Sequence, residues 1–287
     1  MKPLIKYRGG KSCEIPHIVK HIPKYSGKYI EPFFGGGALY FHIEPKKAII
    51  NDINSKLMEF YSAIKSNYTQ LRSELNEIEK IYKENRKQFD KLKLKTSTRI
   101  PDKNEVFYYS LRDMFNGLTE KKYTNASLYF FINKTAYSGM IRYNNKGEFN
   151  VPFGRYKNLN TSLITEQHHQ LLQKTKIFNS DYKAIFNKAE PNDFMFLDPP
   201  YDCTFSDYGN EEYRDGFNEE SHIALAESFR ALRCKALLVV GKTQLTGKLY
   251  SDLIIDEYAK KYTVNIRNRF KSTATHILVA NYKTPEN

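Results

Sequence analysis

Lys28-Tyr29-Ile30-Glu31-Pro32-Phe33-Phe34-Gly35-Gly36-Gly37 is the stretch that decides the fold of this chain. Its first half reads as a short strand. The glycines that follow let the backbone turn sharply and approach a ligand closely. Ala38 to His42 then opens a helix. Lys47-Ala48-Ile49-Ile50-Asn51 reads as a second buried strand, ending at Asp52, and Leu57, Phe60, Tyr61 and Ile64 recur at helical spacing. Strand, glycine turn, helix, and a strand closed by an acid make the opening of a doubly wound α/β sheet.

The α/β rhythm breaks off and returns. From about Asn67 to Arg99, Leu71, Leu75, Ile78, Tyr82 and Phe89 keep helical spacing on a charged background. Arg86, Lys87, Lys91, Lys93, Lys95 and Arg99 form a basic stretch there, read as a solvated helix face and loop rather than a dedicated nucleic-acid arm. Helical patterns continue through Phe107–Phe115 and Leu128–Ile132. In the polar run from Tyr137 to Gly154, Asn145-Lys146-Gly147 between aromatic and apolar flanks predicts a hairpin. Near residue 165 the α/β pattern resumes. Strands are expected at 177–181, 194–197, 236–240 and 276–282, with a helix from Glu219 to Leu232. The expected architecture is one α/β domain, 1–65 and 165–287, split by a helical and hairpin module at 66–164.

Asp198-Pro199-Pro200-Tyr201 directly follows the apolar strand Phe194–Leu197. Open α/β sheets place ligands at such strand ends. Neither proline can donate to a ladder, so the pair stiffens a loop that projects an acid and a ring. That pairing suits attack by the amino nitrogen of adenine, whose lone pair is delocalised into the ring. The Asp198 carboxylate and a neighbouring proline carbonyl, each accepting one N–H, favour a pyramidal nitrogen aimed at an electrophilic methyl. Tyr201 would stack on a base rotated out of its duplex. The plain alternative is a proline-stiffened turn.

The other motifs are weaker singly. Gly35 and Gly37 match the first two glycines of a dinucleotide fingerprint, but Tyr40 fills the third place, which argues against a nicotinamide fold. Asp52 is placed to bind ribose hydroxyls or to cap the helix after it. In Lys6-Tyr7-Arg8-Gly9-Gly10-Lys11-Ser12 a phosphate loop fails, because Ile5 stands where its first glycine belongs. Lys11 is free to meet a carboxylate instead, and Lys6 or Arg8 a phosphate or guanine edge.

Composition narrows the class. The 287 residues carry a formal charge of +13, with 22 Tyr and 19 Phe and no Trp. A surplus of this size favours a polyanionic partner, and some rings near a basic surface would stack on unpaired bases. No apolar run reaches the roughly 20 residues of a membrane span, and the amino terminus lacks a secretory core, so a cytoplasmic protein is expected. Cys13, Cys203 and Cys234 match neither a disulfide framework nor a zinc set. His168-His169 and the remaining histidines show no metal spacing, so no metal is expected.

Lys6-Tyr7-Arg8-Gly9-Gly10-Lys11, Glu31-Pro32-Phe33-Phe34-Gly35-Gly36-Gly37, Asp52, Arg142-Tyr143-Asn144, Phe149-Asn150-Val151-Pro152-Phe153-Gly154 and Asp198-Pro199-Pro200-Tyr201 occur in that order. Together they resemble the Dam-type (D12 class) adenine-N6 DNA methyltransferases, from residue 6 to about 282. The resemblance implies a Rossmann-like S-adenosylmethionine-dependent core with an inserted target-recognition domain. It implies S-adenosyl-L-methionine as cofactor and double-stranded DNA as partner, with room for a cognate restriction endonuclease beside it. Carried onto this chain, it implies a cofactor site of Tyr7, Lys11, Glu31, Phe33, Gly35, Gly37, Asp52, Asp181 and Asp198. Asp198, Pro199, Pro200 and Tyr201 become the catalytic motif, and Lys6, Arg8, Tyr137, Arg142 and Asn144 the DNA contacts. This chain departs from the family at Val240-Gly241-Lys242-Thr243, where Ser or Asn often follows the strand, and at Tyr7, where some members carry Trp. Cytosine-N4 methylation, RNA methylation and a non-catalytic DNA-binding module are the competing functions. Asp before Pro-Pro leans toward adenine by family analogy.

Overall fold

The computed structural model describes residues 1–7, 9–96, 98, 100–200, 217–261 and 273–283. They form two compact units. Lys11–Ile53 and the described residues from 174 onward make the first; Met1–Gly10 and Asn54–Gln173 make the second.

The first unit is a seven-stranded sheet. In chain order its strands are β1 (Tyr29–Glu31), β2 (Ala48–Asn51), β3 (Thr175–Phe178), β4 (Phe194–Leu197), β5 (Lys235–Gly241), β6 (Ile254–Lys261) and β7 (Thr273–Ala280). They lie in the order β3-β2-β1-β4-β5-β7-β6. β1 to β5 run parallel, and β7 is antiparallel to both β5 and β6. Every residue of β1, β2 and β4 is buried, as expected of parallel strands covered on both faces. The helices of this unit are α1 (Ile15–Ile18), α2 (Ala38–Ile43), α8 (Tyr182–Phe186), α9 (Glu219–Arg230) and α10 (Gln244–Leu249). Ile30, Ile49, Met195, Leu197, Leu238 and Val279 pack with Leu225 and Phe229 in its core. Strand order reverses between β1 and β4, so the carboxyl ends of these two strands flank the switch point where such sheets bind ligands. The mixed α/β architecture agrees with the Rossmann-like methyltransferase class expected from the sequence.

β6 was not expected. Ile254-Ile255-Asp256-Glu257-Tyr258-Ala259-Lys260-Lys261 holds as many charges as uncharged residues. It is an edge strand, a position where charge is tolerated and protects against mispairing. Only its pairing with β7 makes it a strand.

The second unit holds α3 (Ser55–Ser66), α4 (Tyr68–Lys93), α5 (Lys103–Phe115), α6 (Asn125–Thr135) and α7 (Glu166–Gln173). α4 buries Leu71, Leu75, Ile78 and Tyr82 along one stripe. Its basic end faces water: residues 91–96 are exposed and Arg86 pairs with Asp90 one turn on. Arg99 lies outside the described residues. The expected hairpin is present, held by isolated bridges Tyr143↔Phe149 and Ala136↔Phe153 rather than a continuous ladder. Both expected histidines are satisfied. His168 Nδ1 meets Thr165 Oγ1 at 2.7 Å, and His169 Nδ1 meets the Ile64 carbonyl at 2.8 Å. Among the described residues no helix is long and apolar enough to cross a membrane.

Candidate active site

Three strand ends of the sheet unit carry acids. Glu31 closes β1, Asp52 follows β2 and Asp198 follows β4. Between β1 and α2 the glycine turn is sterically obligatory. Gly37 has φ +64°, and a Cβ there would lie 2.4 Å from the Phe34 ring. Asp52 closes the turn from the other side, accepting the Gly35 N–H on Oδ2 at 2.8 Å. It does not cap the following helix. That task falls to Asn54, which directly precedes the helix and whose Oδ1 accepts the Leu57 N–H.

Glu31 is buried and accepts the Tyr29 hydroxyl at 2.8 Å. Burial pushes its carboxyl well above the usual range. The Tyr29 hydrogen bond opposes that rise, and the charges of Asp198 and Asp52 add to it. Asp198 grips Lys11: Nζ lies 2.6 Å from Oδ1 and 2.7 Å from Oδ2. Lys11 is 3% exposed and Asp198 22%, so one end of the pair is dry and the other reaches solvent. Burial raises the Asp198 carboxyl, and Lys11 beside it only partly offsets that rise. Pro199 is buried behind it.

Asn51 ties these strand ends together. Its Nδ2 donates to the carbonyls of Pro32 and Ser180, both at 2.9 Å, and its Oδ1 accepts the Ser180 N–H at 2.9 Å. Asn179 donates to the Asp52 carbonyl at 2.8 Å. Asp181, at the end of this segment, is exposed and caps α8 through the Lys183 N–H. Phe33 is half-buried and packs against Tyr182, ring centres 5.1 Å apart.

In the helical unit a second group gathers around Lys6. Asn133 holds its backbone from both sides, with Oδ1 accepting the Lys6 N–H at 2.8 Å and Nδ2 donating to its carbonyl at 2.7 Å. The Lys6 ammonium sits 4.0 Å from the Tyr156 ring centre, and its stem fills the space above Gly139. Lys134 is held down to about 8 by burial and by the charge of Lys6. Tyr137 is 53% exposed. Along the hairpin, Arg142 is exposed and its Nε donates to Asn150 Oδ1 at 2.8 Å. Asn144 organises the turn: its Oδ1 accepts the N–H groups of Lys146 and Glu148, and its Nδ2 donates to Glu148.

A model of the D12 class N6 adenine-specific DNA methyltransferases matches residues 7–266, most of the chain. This chain belongs to that family. It is 33% identical over 289 residues to a type II methyltransferase, M.CviBI of Paramecium bursaria Chlorella virus NC1A, covering 98% of this chain and 100% of the relative. With the type II methyltransferase M.MjaIII of Methanocaldococcus jannaschii the identity is 33% over 307 residues, 98% of this chain and 99% of that one. With the DNA adenine methylase of Escherichia coli it is 27% over 283 residues, 94% and 90%.

In this D12 methyltransferase, an enzyme for adenine methylation in DNA, the sequence-predicted residues fall into two groups. Lys11, Glu31, Gly35, Gly37, Asp52 and Asp198 meet around the strand ends of the sheet unit. Lys6, Tyr137, Arg142 and Asn144 belong to the helical unit, as does Tyr7, which is half-buried and accepts the Gly10 N–H on its carbonyl. Arg8 and Tyr201 lie outside the described residues. Sequence reasoning missed Asn51, Asn133 and Lys134. Asn51, as the polar last residue of an apolar strand, carried a readable signal. The roles of Asn133 and Lys134 come from partners far away in sequence.

Proposed function

We propose that this methyltransferase rotates an adenine out of duplex DNA and methylates its N6 at the end of β4, using Asp198 as acceptor and S-adenosylmethionine held along β1 and β2. The observation that carries this is the acid cluster at the strand ends, where Glu31, Asp52 and Asp198 lie within each other's field and the Lys11 ammonium pairs with Asp198. An excess of acid fits a ligand with net positive charge, and S-adenosylmethionine supplies a methyl group on a sulfonium. Gly35 and Gly37 admit that ligand to the backbone, and the Asp52 carboxylate accepts ribose hydroxyls. Glu31, Phe33, Tyr7, Lys11 and Asp181 complete the cofactor contacts.

Asp198 and a proline carbonyl of its loop accept the two amino hydrogens of the target base, concentrating the lone pair on nitrogen. The methylated amine is a strong acid, and its proton passes to Asp198 or to water. The raised Asp198 carboxyl makes it the better base for that step. Pro199 and Pro200 keep the loop rigid, and Tyr201 stacks on the flipped base. Lys6 and Arg8 contact the target site, while Tyr137, Arg142 and Asn144 present the hairpin to the groove. The type II names of two relatives support a restriction-modification setting with a cognate endonuclease.

The test is nucleoside mass spectrometry on methylation-free duplex DNA incubated with the protein and S-adenosylmethionine, without added metal. N6-methyladenine is the expected product. N4-methylcytosine alone, or no modified base, refutes the reading.

A further inference from the structure

The Lys11–Asp198 pair is itself held in place by a group outside the expected site. Glu14 occupies the N-cap position of α1, yet its side chain caps nothing there. It points to the far edge of the sheet. Oε2 accepts the Tyr258 hydroxyl at 2.6 Å and meets His276 Nδ1 at 2.7 Å, and Oε1 meets Lys260 Nζ at 2.5 Å. These donors form one patch. Tyr258 and His276 are register partners across β6 and β7, and Lys260 lies two residues along β6 on the same face. His17 stacks on Tyr258 at 4.7 Å, nearly parallel, so α1 is fastened to β6 a second time. Glu14 is 4% exposed and His276 fully buried.

The backbone joins this clamp to the active site. The Lys11 carbonyl accepts the Glu14 N–H at 2.8 Å and the Ile15 N–H at 3.1 Å. The turn from Lys11 to Glu14 is thus anchored at one end on β6 and β7, and at the other delivers a buried ammonium to the end of β4. Charge-assisted hydrogen bonds from three donors fix the orientation of a buried carboxylate.

We propose that Glu14 is a positioning residue for methyl transfer, clamped by Tyr258, Lys260 and His276 so that Lys11 is fixed on Asp198. The proposal rests on the assignment of Asp198 as the amino-group acceptor. Glu14 also acts on Asp198 as a distant like charge, and the two effects have opposite signs. Removing a like charge lowers the Asp198 carboxyl; releasing Lys11 raises it.

The experiment compares Glu14→Gln with the wild type in kcat, KM and the pH profile of kcat, alone and in a Lys11→Met background. Expected are a fall in kcat of about tenfold to a hundredfold, the scale of a displaced catalytic group, and a smaller change in KM. The acid limb moves to higher pH, and Glu14→Gln adds little once Lys11 is gone. An unchanged kcat, an acid limb that stays or moves to lower pH, or a full further loss in the Lys11→Met background overturns the proposal. Should Glu14→Gln fail to fold, Tyr258→Phe is measured instead, which removes a clamp donor without removing a charge; the same pattern in weaker form supports the clamp, and a folded variant with wild-type kcat and profile overturns it. An Asp198→Asn control separates the two levels. If that variant turns over normally, the acceptor assignment has failed, whatever Glu14 does.

Discussion

At the scale of single residues, the carboxylates of this enzyme differ by their partners. Asp198 is raised by burial, yet it holds a Lys11 ammonium that has almost no access to water. Asp198→Ala would break this buried pair and take a carboxylate from the Lys11 ammonium, a loss of roughly 3–5 kcal/mol in dry surroundings. Asp198→Asn is the cleaner probe, since it keeps the shape and one acceptor. Its kcat should fall by about 10²–10³, as when a charged transition-state partner is lost. Single-turnover kinetics beside a thermal melt checks this, and a well-folded Asn variant with near-normal kcat would remove Asp198 from the mechanism. Glu14 behaves in the opposite sense. Burial alone would raise it, but His276, the Lys11 charge, Lys260 and Tyr258 hold it at about 2 against an ordinary 4.5. A depressed carboxyl stabilises the fold fully above its unfolded value and loses that contribution as pH falls toward the folded one. The stability deficit of Glu14→Gln should therefore shrink between pH 4.5 and about 2. Denaturant titrations giving the same deficit at pH 7 and at about pH 3 would show that the clamp is not electrostatic.

At the scale of elements, the loops after β1, β2 and β3 are set by Asn51 more than by their own sequences. Its amide meets the carbonyls of Pro32 and Ser180 and the Ser180 N–H. Asn51→Ala strands these groups, and each unsatisfied buried one costs about 1–3 kcal/mol. The variant should melt earlier and bind S-adenosylmethionine more weakly, because the Gly35 turn and Asp52 lose their common anchor. Calorimetry showing wild-type cofactor affinity would confine Asn51 to stability. The hairpin is organised differently. Asn144 is engaged inside the turn, which leaves exposed Arg142 as the side chain suited to reading a base. Arginine matches guanine O6 and N7 through two parallel donors. Arg142→Ala should cost about 1–3 kcal/mol and relax preference at one position. Methylation rates over the true site and its single-base variants check this. A uniform drop across the panel would make Arg142 a phosphate contact.

For the whole molecule, the charge of +13 predicts binding dominated by counterion release. The logarithm of DNA affinity should fall linearly with the logarithm of salt concentration, while S-adenosylmethionine affinity changes little. Fluorescence anisotropy on a duplex containing the site gives the slope directly. A flat line would mean that the basic surplus, including the exposed end of α4, does not meet phosphate.

Much of this was legible in the chain. Apolar runs ending in Glu31, Asp52 and Asp198 specify buried parallel strands with acids at their carboxyl ends, because period and burial are local properties of sequence. The glycine turn is legible for the same reason, from three successive glycines after an apolar strand; the positive φ of Gly37 beside Phe34 shows the turn in place. Three things were decided only by tertiary structure. β6, too charged to declare itself, is a strand because β7 offers it an edge. Asp52 is directed to the Gly35 N–H across the sheet, while α3 is capped by Asn54. Glu14 meets His276 across 262 residues of sequence, and Lys11 meets Asp198 across 187. No local pattern encodes such pairs. They exist because burial makes an unpaired charge so costly that the fold must bring it a partner.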